Sequence, residues 1–107
     1  MRNKTVVFFT TFENIKQART FSKTLLTRKL AACLNILPKI ESHFFWNNKL
    51  QKQNESLVIG KTTFKNFKKL KNEILKFHPY DTPELICLEI KDGHNPYLKW
   101  VKKSLGI

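Results

Sequence analysis

Residues 34–50, Leu34-Asn35-Ile36-Leu37-Pro38-Lys39-Ile40-Glu41-Ser42-His43-Phe44-Phe45-Trp46-Asn47-Asn48-Lys49-Leu50, decide the fold. Leu34, Ile36, Ile40, Phe44 and Trp46 share one parity and read as the apolar face of a long strand. Asn35, Lys39, Glu41 and His43 hold much of the other face. Pro38 breaks the apolar parity, and because it lacks an N–H the strand should bend or change neighbours there. Asn47-Asn48-Lys49 reads as the turn, since Asn tolerates positive φ better than other residues that carry a side chain. The return strand runs from about Leu50 to Lys61, polar over Gln51-Lys52-Gln53-Asn54-Glu55 and apolar at Leu57-Val58-Ile59.

Each of these strands covers about 12 to 15 residues, which at ~3.3 Å per residue gives a ribbon roughly 40–50 Å long. A globule of this chain length has a radius of gyration of only ~13 Å and is roughly 30–35 Å across. The tip therefore projects beyond its own core while carrying Phe44, Phe45 and Trp46. Such a flap, free in water, is an aggregation hazard. Either it packs on and pairs with sister chains, or it curls back over its own sheet with the help of Pro38.

Working outward, residues 4–10 (Lys4-Thr5-Val6-Val7-Phe8-Phe9-Thr10) are β-branched and aromatic and read as a central strand. Ile15, Ala18, Phe21, Ser22, Leu25 and Leu26 recur with helical period, after competing cap spacings at Thr10–Glu13 and Asn14–Gln17. Arg28 and Lys29 favour the dipole at that helix's end. Thr62 or Thr63 caps a second helix with Phe64, Phe67, Leu70, Ile74 and Phe77 on its inner stripe, closed by Pro79. Leu85–Ile90 is a last strand. Asn95-Pro96 then caps a short helix presenting Leu98, Val101 and Leu105, with Trp100 alongside. The order β-α-β-β-α-β plus a terminal helix describes an α+β, ferredoxin-like sandwich with an extended central hairpin, a single domain over residues 1–107.

Composition narrows the function classes. With 41% hydrophobic residues, including nine Phe, two Trp and two Tyr, the 107-residue chain is not disordered. Three Gly and four Pro exclude collagen-like and glycine-rich phosphate-loop readings. Cys33 and Cys87 sit in apolar runs and behave as small hydrophobes, not as a disulfide framework. No apolar stretch approaches the ~20 residues that span a bilayer, and a reducing, cytoplasmic setting is expected. The net charge of +12 comes mostly from lysines spread along the chain, with only Arg2, Arg19 and Arg28 as arginines. Lysine suits solubility and loose phosphate attraction more than base reading, which makes a nucleic-acid module the weaker alternative. No oriented nucleophile or carboxylate pair is present, and Phe9-Thr10-Thr11-Phe12 offers no phosphate cradle of the acylphosphatase kind.

Several stretches together resemble one family. Lys29-Leu30-Ala31-Ala32-Cys33-Leu34-Asn35-Ile36-Leu37-Pro38 is similar to its (K/R)-L-A-A-C-x-N-x-x-P signature. Trp46…Lys49-Leu50…Glu55…Lys61-Thr62, His78-Pro79-Tyr80-Asp81-Thr82-Pro83-Glu84 and Tyr97-Leu98-Lys99-Trp100 follow in order with similar spacing. The family is that of the CutA divalent-cation tolerance proteins. The resemblance implies a homotrimer of ferredoxin-like protomers with interlocked hairpins, similar in architecture to the PII signalling proteins. It implies a non-enzymatic role in tolerance of copper and other divalent cations.

It also implies copper binding through a cysteine at the end of the first strand and a histidine pair before Pro-Tyr. This sequence departs there, with Phe9 and Phe77 at those positions, leaving His78. The glycine of the family's W-x-G turn is Asn48, and acidic positions on the return strand are Gln51 and Gln53. Cys33 and His78 are the candidate metal ligands by type, a thiolate and an imidazole suited to copper or zinc, without supporting spacing. The stiff, polar loop 78–84 together with Lys61 suggests an intersubunit cleft rimmed by Lys61, His78, Tyr80 and Glu84 that takes a small anion or metabolite. Phe44, Phe45 and Trp46 are the expected interface anchors. His43 and His94 read as surface residues.

Overall fold

The computed structural model describes residues 4–107. In chain order its elements are β1 (Thr5–Phe12), α1 (Ile15–Thr27), β2 (Cys33–Trp46), β3 (Lys49–Thr63), α2 (Phe64–Phe77), β4 (Leu85–Glu89) and α3 (Asn95–Ser104). The strands form one sheet in the order β2-β3-β1-β4, every neighbouring pair antiparallel. This is the α+β sandwich the sequence predicts.

Register assigns each side chain to a face. Phe8 lies opposite Gly60, which lies opposite Leu34, and Phe8 also faces Cys87 on β4. These residues, with Val6, Val58 and Ile36, meet Phe21 and Leu25 of α1 and Phe67, Leu70 and Ile74 of α2 in the main core. Gly60 is required there by space and not by backbone freedom: a Cβ on it would come within 2.2 Å of the buried Phe8 ring. Cys87 packs against this core, and burial pushes its thiol pKa up. On the other face, α3 lies on β1 and β3 and buries Val101 and Leu105 against Ala32 in a second, smaller cluster. Tyr97 of that helix sits by the Cys33 thiol, where burial and the neighbouring sulfur raise the phenol pKa.

The competition at the start of α1 is decided by Asn14, whose side chain accepts from the Gln17 N–H at 2.9 Å. The Gln17 side chain reaches back to accept from the Glu13 N–H, which lets β1 continue to Phe12. Arg28 is the C-cap of α1 and pairs with Glu73 of α2 at 3.0 Å. Thr63 caps α2 by accepting from the Asn66 N–H. His94, not Asn95, is the N-cap of α3 and makes no side-chain capping bond. Phe77, expected on the inner stripe of α2, is 52% exposed, because Pro79 ends the helix just where that side chain would turn inward.

The single apolar parity expected across Pro38 does not survive. Leu37 pairs with Leu57 and Ile40 with Glu55, so Pro38 and Lys39 stand opposite Ser56 alone in a β-bulge. Lys39 takes a φ of 58°, which absorbs the extra residue. One inserted residue moves every later side chain to the other face. Leu34 and Ile36 therefore look toward the helices, while Ile40, Phe44 and Trp46 look away from them.

Beyond the bulge the hairpin stands free. β1 ends at Phe12 opposite Ser56, leaving the seven residues Lys49–Glu55 of β3 paired only with β2. At ~3.3 Å per residue that overhang is roughly 23 Å, and the molecule measures 44 × 26 × 22 Å. The alternative in which the hairpin curls back over its own sheet is excluded: Phe45 is 71% and Trp46 53% exposed at the tip. Asn47 and Asn48 form the two-residue turn with φ values of 53° and 62°, the pairing that matches strand twist.

Candidate functional site

The end of β1 leaves β3 without a neighbour at Glu55 and Gln53, and the loop 78–84 fills that vacancy. The proline at position 79 forces His78 into extended backbone at the end of α2, and this turns the imidazole back toward β1. Its ring stacks on Phe12 with centroids 4.4 Å apart, and Phe12 in turn packs on Phe21 of α1. One ring nitrogen, Nε2, lies 2.9 Å from the Thr11 carbonyl oxygen, and the other, Nδ1, lies 3.1 Å from the Tyr80 backbone nitrogen. A carbonyl only accepts and an N–H only donates, so the tautomer follows: Nε2 carries the proton and Nδ1 receives one. Burial lowers the His78 pKa, outweighing the opposite pull of the Thr11 bond and the Glu55 charge. The ring is a neutral clamp that holds the loop to the end of β1.

Clamped in this way, Tyr80 reaches across to β3. Its hydroxyl donates to Glu55 Oε2 at 2.7 Å and accepts from Gln53 Nε2 at 3.3 Å. Burial and the adjacent Glu55 carboxylate push the phenol pKa well up, so this oxygen keeps its proton. Glu55 is only 7% exposed, a carboxylate held inside the root of the arm by a phenol. Around this network a groove of about 720 Å³ runs up one face of the arm, over Ser42, Phe44, Trp46, Gln51 and Gln53, with Asp81, Thr82 and Glu84 on its loop side. Of its walls, Phe44 and Trp46 of β2 face this way because of the bulge at Pro38-Lys39.

The expected cleft residues do not all meet. Tyr80 and Glu84 line the groove and His78 supports it from behind, but Lys61 lies six positions along β3 from Glu55, roughly 20 Å away at ~3.3 Å per residue. There Lys61 donates to the Asn35 side-chain oxygen. The candidate metal pair is also separated within one chain. Cys33 stands opposite Lys61, and His78 holds the carbonyl of Thr11, which stands opposite Leu57, four residues further along β3 and roughly 15 Å from Cys33. Both His78 nitrogens are already committed. Among the described residues no three or more His, Cys, Asp or Glu groups gather closely enough to hold a metal ion. The donor set of this chain therefore does not fit the copper site that the resemblance implies, and no step is derived through a metal.

Two features of this region do not stand out in the sequence. Glu55 reads as one more polar residue on the arm, and its burial follows only from the early end of β1 and the reach of Tyr80. The open sheet face is the other: Ile86 and Leu88 of β4 are 53% and 56% exposed beside Phe9 and Ile59, on the side away from α1 and α2. Phe9, Ile59 and Leu88 each alternate with a core residue along their strands, and that period-2 signal was legible.

Comparison with known proteins decides the relationship. A model of the CutA1 divalent ion tolerance protein matches residues 6–104. The chain belongs to this family. It is 39% identical over 89 residues to the divalent-cation tolerance protein CutA of Thermus thermophilus, covering 83% of this chain and 86% of that protein. With Protein CutA 1, chloroplastic, of Oryza sativa it shares 38% identity over 99 residues, 92% of this chain and 56% of the rice protein. The chain thus spans a little over half the length of that plant relative. Among solved structures, CutA1 from Oryza sativa superposes with a TM-score of 0.92 at 37% identity, covering 96% of this chain and 94% of that one. The divalent ion tolerance protein CutA1 from Ehrlichia chaffeensis does so with a TM-score of 0.92 at 29% identity over the full length of both chains. Along the CutA fold, the K-L-A-A-C stretch of this chain is the entry to β2, where Thr62 donates to the Leu30 carbonyl at 2.7 Å beneath buried Ala31. The H-P-Y element is the clamp just described. No helix is long and apolar enough to cross a membrane among the described residues.

Proposed function

We propose that this CutA chain is a non-enzymatic homotrimer that serves tolerance of divalent cations through its assembled shape and not through a metal centre inside one protomer. The observation that carries the reading is the free arm. A seven-residue overhang ends in Phe44, Phe45 and Trp46, and the open sheet face offers Ile86, Leu88 and Leu37 as a matching apolar surface. Sheltering both from water stabilises association by roughly 25 cal/mol per Å² of apolar area, and each aromatic brings about 150–250 Å².

In this arrangement arms interlock with sister chains, and the groove at the arm's root, with Tyr80, Glu84 and the supporting His78, becomes an intersubunit cleft for a small anion, as in a PII-like sensor. Lys61 reaches such a cleft only from a neighbouring protomer. The absence of an activated nucleophile or base beside the groove supports a binding role: the Tyr80 phenol keeps its proton, and the His78 nitrogens are engaged by Thr11 and Tyr80. The test is complementation. A host lacking this chain is grown in graded copper with the wild type or with Phe45→Ser/Trp46→Ser. The reading expects the variant to lose both the trimer and the tolerance; a monomeric variant that still confers full tolerance contradicts it.

A further inference from the structure

The outer layer of the molecule carries a second recess that neither the arm nor the open sheet face uses. Between the start of α1 and the end of α2 lies a groove of about 370 Å³, floored by Phe12, Phe21, Ile74 and Phe77 and rimmed by Lys16 and Thr20. It is at the small end of the range for ligand pockets, about 300–1,000 Å³, a size that suits one anchoring side chain more than a whole cofactor. Phe77 forms one wall because the helix stops at Pro79 and leaves that ring at the surface.

The helical layer that carries the groove is basic, and Lys16 stands on the groove's rim. At about 100° per residue, Lys16 and Lys23 project from α1 on the side opposite Ala18, Ser22 and Leu25, and Lys65, Lys69 and Lys76 project from α2 opposite Phe67, Leu70 and Ile74. Only two acidic residues, Glu13 and Glu73, accompany these helices, and Glu73 is taken by Arg28. Among the described residues, none of those five lysines has a carboxylate within ion-pair distance.

We propose that this groove docks an acidic protein segment bearing one bulky apolar anchor, with the anchor on Phe12, Phe21, Ile74 and Phe77 and the flanking carboxylates on Lys16 at the rim and on the basic outer faces of α1 and α2. Charge complementarity selects the acidic flanks, and the apolar floor selects the anchor. A phosphate polymer would use the basic side chains but leave the apolar floor without a partner.

The test is fluorescence anisotropy on the full chain at ~50 and ~200 mM salt. The probe is a labelled peptide of Glu and Asp residues built around a single Trp. The controls are the same peptide with Trp replaced by Ser, and an oligothymidylate of equal length. Saturable binding of the first peptide is expected, with the Ser control about tenfold weaker. Phe77→Ser and Lys16→Glu should each weaken the first peptide by about tenfold. Leu75→Ser, exposed on another side of α2, should leave it unchanged. Phe77 lies outside the core, so its truncation spares the fold, and unchanged circular dichroism and sedimentation confirm that in the same samples. Equal binding of the Ser control or of oligothymidylate, indifference to Phe77→Ser, or no saturable binding at low salt overturns the proposal.

Discussion

Replacing Tyr80 with Phe removes one oxygen from the root of the arm and should be felt by the whole fold. In the native chain that oxygen donates to Glu55 Oε2 at 2.7 Å and accepts from Gln53. Phe fills the same space, so the change isolates the hydroxyl. What remains is a carboxylate, almost fully buried, that has lost its donor, and a Gln53 amide that has lost its acceptor. A hydrogen bond to a charged group contributes about 1.5–3 kcal/mol, and we take about 2 kcal/mol as the expected loss. In a domain of about 100 residues each kcal/mol moves Tm by about 4–8 °C, so the variant should melt roughly 8–16 °C lower.

The assay is urea unfolding at one fixed protomer concentration, because association couples to stability by mass action. Glu55→Gln is the matched control: its amide oxygen still accepts from Tyr80 and no charge remains to be desolvated, so a loss of about 1 kcal/mol or less is expected. A Tyr80→Phe loss below about 0.5 kcal/mol, or a Glu55→Gln loss larger than that of Tyr80→Phe, would refute the reasoning that a buried charge depends on this phenol.

Gly60→Ala should destabilise by about 1–3 kcal/mol through overpacking against Phe8, and Phe8→Leu in the same chain should recover part of it; an unchanged urea midpoint for Gly60→Ala would show that the Phe8 ring is free to move. The stability contribution of His78 should be held above its ordinary pKa near 6.5 and lost as pH falls below that value, since the unfolded chain takes up a proton that the clamped ring resists. A pH series should accordingly show the urea midpoint falling below pH ~6.5 in the wild type and less so in His78→Gln, whereas identical profiles would contradict the clamp. In copper titrations, His78→Asn should leave any affinity unchanged and Cys33→Ser should abolish whatever tight binding exists; tight stoichiometric binding that survives Cys33→Ser would overturn this assignment.

Much of this architecture was legible in the sequence because it rests on local periodicity. The buried positions of α1 and α2, though not Leu26 and Phe77 near their ends, the Asn47-Asn48 turn and the overlong central strands follow from spacing alone. The Pro38 irregularity was visible as a break, but its consequence was not, since whether an extra residue bends a strand or flips its faces depends on pairing with β3. That one step relocates Phe44 and Trp46 and so defines the groove. The site was half legible for the same reason. Tyr80 and Glu84 stand out in a stiff loop, yet Glu55 becomes part of the site only because β1 ends at Phe12 and exposes the side of β3. Lys61 and Cys33 belong by sequence to conspicuous motifs, but strand distance sets both apart from the His78 clamp, and proximity along a motif carries no information about distance along a sheet.

Sedimentation equilibrium of the wild-type chain at micromolar concentration bears most directly on the arm that outruns its own globule. Three 12.7-kDa chains with shared arms should give a single species of about 38 kDa that persists on dilution. A stable, soluble species of 12.7 kDa would show that the exposed tip needs no sister chain, and the shared cleft would go with it.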